Sequence, residues 1–212
     1  GIRIQNSGRL MFEDYQLSPS TWHGRIDTVR LFDQYDAWVH IFFRYDSTPS
    51  TPDGDDIYFA INGVQVTNFF DDGGGHPTYP SQNRDTNMNS AVLTAIGGAG
   101  GTNVPGTEDF DGYMAETIMV DGYALSPSVF GQTDTSTNRW IPKEVTAATL
   151  NTAGGGSSGF GDEGFYLEYG TGADLGDDTS GETNDWTELN LAAANQSVDT
   201  PTKNYCTWNP LE

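Results

Sequence analysis

The stretch Phe110-Asp-Gly-Tyr-Met-Ala-Glu-Thr-Ile-Met-Val-Asp-Gly-Tyr-Ala-Leu-Ser-Pro-Ser-Val-Phe-Gly131 reads almost residue by residue as turn, strand, turn and short helical turn. Asp111-Gly112 supplies a turn whose glycine accepts a positive φ, and Tyr113 to Val120 is rich in the aromatic, branched and sulfur-bearing side chains that suit a half-buried strand. Asp121-Gly122 makes the next turn. Ser126 followed by Pro127 places a good N-cap before a proline in the first turn, so a short helix is expected around Pro127 to Phe130, ending before Gly131.

Outward from that segment the chain reads as strands with almost no helix. Arg9 to Phe12, Gly24 to Phe32, Ala37 to Tyr45, Asp56 to Ile61, Val64 to Phe70, Ala91 to Ile96 and Phe165 to Tyr169 have strand length and composition, and Gly1 to Gln5 opens in what reads as another. Trp38 to Tyr45 is apolar at both odd and even positions, which suits a strand packed on both sides with Trp38 in the core. Clusters of Gly, Pro, Asn and Asp separate these runs, and glycine-rich breaks fall at Gly73, Gly97 and Gly154. The pattern predicts an all-β chain, a two-sheet antiparallel sandwich of jelly-roll type.

Several phrases carry a more specific likeness. Phe110 to Ser126, the hairpin Ile61-Asn-Gly-Val-Gln-Val66 and the strand Asp36-Ala-Trp-Val-His-Ile-Phe-Phe43 resemble laminin-G-like domains of the concanavalin A-like class. Thr78-Tyr-Pro-Ser-Gln-Asn83, Trp140-Ile-Pro-Lys143, Gly164-Phe-Tyr-Leu-Glu-Tyr169, Leu175-Gly-Asp-Asp-Thr-Ser-Gly181, Asn184-Asp-Trp186 and the run from Thr200 to Leu211 resemble large virion proteins of marine tailed phages. In that group laminin-G-like domains recur in tail-fibre and other surface proteins. The resemblance implies a laminin-G-like jelly roll over residues 1–150. It also implies a glycine-rich connection, one or two further strands and an extended C-terminal segment over 151–212, docked on the same sandwich. Because Asp174 to Leu191 is similar to the opening of such a domain, the alternative is that a second module begins there.

Thirty acidic residues against nine basic ones give a net charge of −21, which argues against nucleic acid and against anionic membrane surfaces as partners. No run approaches the ~20 apolar residues of a spanning helix, so membrane insertion is not expected. The lone Cys206 cannot form an intrachain disulfide, and the core must be hydrophobic.

No catalytic arrangement is visible. His23, His40 and His76 have no zinc-site spacing, and Ser-x-x-Lys, Gly-x-Ser-x-Gly, P-loop and His-Glu-x-x-His patterns are missing. Glycosidases of the jelly-roll class carry Glu-x-Asp-x-x-Glu on one strand, whereas Glu116 stands alone on its own. A non-enzymatic chain is therefore expected. Calcium is the chemically plausible cofactor, since hard cations take carboxylate and carbonyl oxygens from loops. Its candidate ligands are Asp71 and Asp72 before the glycines, and Glu108, Asp109 and Asp111 before the Tyr113 strand. Solvated turn residues are the alternative. For sugars, Trp22 and Tyr79 stand in Pro- and Gly-bearing loop contexts and offer flat apolar faces.

Taken together, the residues and the resemblance imply a virion-surface structural protein of tail-fibre or receptor-binding type, contacting host surface glycans and other virion proteins and forming a homo-oligomer. Alternatives are a capsid-decorating or assembly module, and a secreted carbohydrate-binding module or glycosidase.

Overall fold

The computed structural model describes residues 1–17, 20–32, 37–71, 73, 76–89, 94–98, 109–197 and 200–201. Among the described residues strands dominate, their pairing is antiparallel, and helix is confined to one eight-residue segment and three single 3-10 turns. The chain forms two compact units, Gly1–Phe110 and Asp111–Glu212.

In the first unit β1 (Ile2–Ile4), β2 (Arg9–Leu17) and β3 (Ser20–Leu31) form one sheet, while β4 (Ile41–Arg44), β5 (Tyr58–Ile61) and β6 (Val64–Gln65) form another. Alternation along β2 and β3 sends Leu10, Phe12 and Ile26 to one face, where they join Ile57, Phe59 and Ile61 in a buried cluster drawn from both sheets. Phe12 and Phe59 are fully enclosed, and Phe43 packs against both with tilted rings, centroids 4.7 and 5.0 Å away. Burial of each such ring contributes about 1.5–3 kcal/mol. Beneath the same face Asp14 is buried and paired with Arg84 at 3.0 Å.

Two expected strands, Ala37 to Tyr45 and Val64 to Phe70, are shorter here than their composition suggests, the latter forming a strand only at Val64–Gln65. The run expected over Ala37 to Tyr45 pairs only at Ile41–Arg44, and Trp38 is half-buried outside the core cluster. Trp22, read from sequence as a loop residue, lies inside β3, which begins at Ser20 rather than Gly24. The segment Ala91 to Ile96 lies partly outside the described residues.

The second unit pairs β7 (Thr117–Met119) with β10 (Phe165–Leu167) and β8 (Gly131–Asp134) with β9 (Arg139–Pro142). β7 is shorter than the Tyr113–Val120 expectation because Glu116 adopts φ 56°, a left-handed conformation that interrupts an extended run. The short helical turn appears as Pro127–Val129, with the Ser126 side chain accepting from the Ser128 N–H. The hairpin β8–β9 and α1 (Ala147–Gly154) were not foreseen. Thr146 and Thr149 form a reciprocal capping box at the start of α1, and Gly155 closes it at φ 71°. Leu150, on the one buried position of α1, joins Leu125, Val145, Phe160 and Tyr166 in a second apolar cluster.

After β10 a long loop is tied down by carboxylates. Asp178, 8% exposed, accepts the Tyr166 N–H at 2.8 Å, the Ser180 N–H at 2.9 Å, the Ser180 hydroxyl at 2.8 Å and the Asn184 N–H at 2.9 Å. Asp185 takes the Asp178 N–H, and Glu188 takes those of Leu175 and Gly176. Trp186 then packs edge-on against Phe165 at 5.1 Å. The strand expected over Phe165 to Tyr169 is shorter, ending at Leu167, with Tyr169 at φ 54°.

Candidate functional site

The β2–β3 hairpin carries two different faces. Opposite the core face, the cross-strand neighbours are Met11 with Asp27, Glu13 with Arg25, and Tyr15 with Trp22. A register shift between Asp14 and Tyr15 leaves His23 as an extra residue on β3 and brings Tyr15 directly across from Trp22. Their rings lie 4.5 Å apart at 47°, and Trp22 remains 38% exposed. The position of this tilted aromatic pair is fixed by the ladder rather than by a loop.

Polar groups surround it. The Arg25 guanidinium carbon stands 5.2 Å from the Trp22 ring centroid, within cation–π range. Arg25 Nε and Nη2 donate to the Asp27 carboxylate at 3.2 and 2.9 Å, and Gln5 donates to the same carboxylate at 3.2 Å. Arg25 Nη1 lies 3.3 Å from His76 Nε2, and a two-way backbone bridge between Arg25 and Thr78 holds that segment beside β3. At the hairpin end, His23 Nε2 and Gln16 Oε1 are 2.8 Å apart. Sequence reasoning found Trp22 but missed Tyr15 and Arg25, because Pro19 and Gly24 around Trp22 read as a loop and hid the strand register that brings the three together.

Tyr79, the other expected ligand-binding aromatic, is half-buried and packs against the core cluster of the first unit. Its hydroxyl stands over Gly54, where a Cβ would come within 2.9 Å. Burial, then Asp53 and Asp55, pushes that hydroxyl above the ordinary tyrosine range. Tyr79 thus supports the Asp53–Asp56 turn.

Of the five expected calcium ligands, Asp72 and Glu108 lie outside the described residues. Asp71, Asp109 and Asp111 are exposed, and Asp71 Oδ1 accepts the Gly73 N–H at 2.8 Å. Among the described residues no three His, Cys, Asp or Glu side chains are grouped to hold a metal ion. The calcium expectation therefore rests on the sequence alone.

The second unit has an open cleft of about 260 Å³ lined by Glu144, Val145, Phe160, Tyr166, Glu168 and Ser180, among others. Burial pushes the Tyr166 hydroxyl up to about 12, reinforced by Glu116, Glu168 and Glu144, so it stays protonated through the neutral range. No helix among the described residues is long and apolar enough to cross a membrane. No family model, curated protein or solved structure matches the chain.

Proposed function

We propose that this chain is a non-enzymatic structural protein of a virion surface, of tail-fibre or receptor-binding type, that contacts host surface glycans through the Trp22–Tyr15 surface. The finer fold within this reading is a concanavalin A-like, laminin-G-like jelly roll. One observation carries the glycan part: a tryptophan 38% exposed stands on the β2–β3 hairpin against a tyrosine ring tilted 47° to it, with a guanidinium carbon 5.2 Å from its ring centroid. A pyranose ring offers an apolar face that stacks on such a surface, and single contacts of this kind are weak. Presentation of many copies on one particle, together with other virion proteins or as a homo-oligomer, would turn them into useful avidity.

The test is adhesion of the multimerised chain to glycan-coated beads. Trp22→Ala should lower apparent affinity at least about tenfold, the loss of roughly 1.4 kcal/mol per contact, with an unchanged melting temperature. Undiminished adhesion by that variant would overturn the site. A second reading, a capsid-decorating or assembly module, is favoured by one feature, the edge strand β1, whose Ile2 and Ile4 are 38% and 41% exposed. Association that Ile2→Lys and Ile4→Lys abolish would support it.

A further inference from the structure

We propose that the open cleft of the second unit takes a lysine side chain from a protein partner, its ammonium among Glu144, Glu168 and the Tyr166 hydroxyl and its stem against Val145, Ala147 and Phe160. This contact is independent of the Trp22 surface.

The Tyr166 hydroxyl is the first observation. Tyr166 is only 9% exposed, and it lines the cleft. Its backbone N–H donates to Asp178, its carbonyl accepts from Thr179, and its ring stacks on Phe160 with centroids 6.1 Å apart at 29°. Among the described residues nothing hydrogen-bonds its hydroxyl, although a polar atom on so buried a side chain ordinarily has a partner. An unused polar group therefore stands at the cleft.

Uncompensated charge is the second. Glu116, Glu168 and Glu144 all act electrostatically on that hydroxyl, and the latter two line the cleft with it. None of these carboxylates has an ion-pair or hydrogen-bond partner among the described residues. Lys143, next to Glu144 in the chain, instead donates to the Ser128 carbonyl at 3.0 Å. Burial, then Glu168, raises the Glu116 pKa, as expected of acids held together without a counter-ion.

The cation that answers these groups is organic. Among the described residues no three acids converge tightly enough to hold a metal ion, whereas an ammonium sends three N–H donors to separate acceptors. A sugar is a poor fit, because the other hydroxyls of the cleft are engaged within the chain. Ser180 donates to Asp178 at 2.8 Å, Thr179 donates to the Tyr166 carbonyl at 3.1 Å, and Thr146 accepts the Thr149 N–H at 3.2 Å. Lysine needs acceptors only at its tip and apolar wall along its stem. A volume of about 260 Å³, below the ~300–1,000 Å³ of pockets for drug-sized ligands, suits one such side chain.

The experiment titrates the full chain by calorimetry at about pH 6, where carboxylates are ionised and the probe amines charged. Salt of about 0.15 M screens the general attraction of an acidic surface beyond roughly 8 Å. The probes are a blocked Gly-Lys-Gly peptide, the same peptide with its lysine Nε-acetylated, and methyl glucosaminide. The lysine peptide is expected to bind at least about tenfold more tightly than either of the others. Glu144→Gln, Glu168→Gln and Tyr166→Phe, the last keeping the ring on Phe160, should each weaken it about three- to tenfold at an unchanged melting temperature. Glu163→Gln removes the same charge from an exposed position outside the cleft lining and should leave the affinity as it was. Equal binding of the acetylated peptide, glucosaminide binding as tight as lysine, no binding of the lysine peptide, or equal losses in Glu163→Gln and the cleft variants would each overturn the assignment. None of these results bears on the Trp22 surface.

Discussion

Asp178 shows how far one carboxylate can organise this chain. Burial alone would raise its pKa, but N–H bonds from Tyr166, Ser180 and Asn184 outweigh that and hold it below the ordinary carboxylate range. A depressed folded-state value means that the stabilisation is fully present above the unfolded aspartate value of about 3.9, and is lost as pH falls through the folded one. Asp178→Asn places amide hydrogens against backbone donors and should cost about 2–4 kcal/mol at pH 7, with a shallower loss of melting temperature below pH 4. Melts of both proteins from pH 2 to 7 give the comparison, and parallel curves would remove Asp178 from the acid response. At this scale the sequence was partly legible. The phrase Leu175 to Gly181 stood out, but nothing in its spacing reveals which backbone N–H groups its carboxylates reach. Trp22 was recognisable as an aromatic among turn residues, whereas Arg25 is identified only once the strand register sets it beside the ring.

Elements were readable where apolar alternation or a distinctive cap marked them. β2, β5 and the Ser126-capped turn followed from such signals. The hairpin β8–β9 did not, since its turn is closed by the Asp134 side chain, which bonds Ser136 and Thr137, and by Asn138 at φ 55° rather than by glycine. β8 is also largely polar, with Gln132 and Thr133 exposed. α1 was hidden for another reason: it buries only Leu150, so no amphipathic stripe exists, and the glycines after it resemble a linker. Its start is nevertheless encoded in the Thr146–Thr149 capping box. Thr146→Ala is therefore expected to destabilise the second unit by about 1 kcal/mol, against no more than a few tenths for Thr146→Ser, in urea melts. Equal stability of the alanine variant would show that packing of Leu150, not the cap, sets where the helix begins.

For the molecule as a whole, charge is the dominant unsolved load: 30 acidic residues against nine basic ones. Any salt relieves part of that repulsion, so an ion-specific effect must be measured against one that is merely ionic. A calcium site built from Asp71, Asp72, Glu108, Asp109 and Asp111 predicts a melting temperature higher in calcium than in sodium at matched ionic strength, a gain that Asp109→Asn diminishes. Coincident curves in the two salts would leave these carboxylates as solvated turn residues. The all-β character was legible across the chain, but the division at Phe110 was not, because the segment on either side reads as one continuous turn-and-strand pattern. The pairing of β7 with β10 has a further consequence during synthesis. Thr117 and Leu167 are neighbours in the ladder yet about 50 positions apart in the chain, and a ribosome adding 5–20 residues per second takes roughly 3–10 s to cover that interval. Throughout it the Thr117–Met119 edge is without its strand partner, so the nascent second unit should be a chaperone client whose risk of aggregation ends only when Phe165–Leu167 clears the exit tunnel.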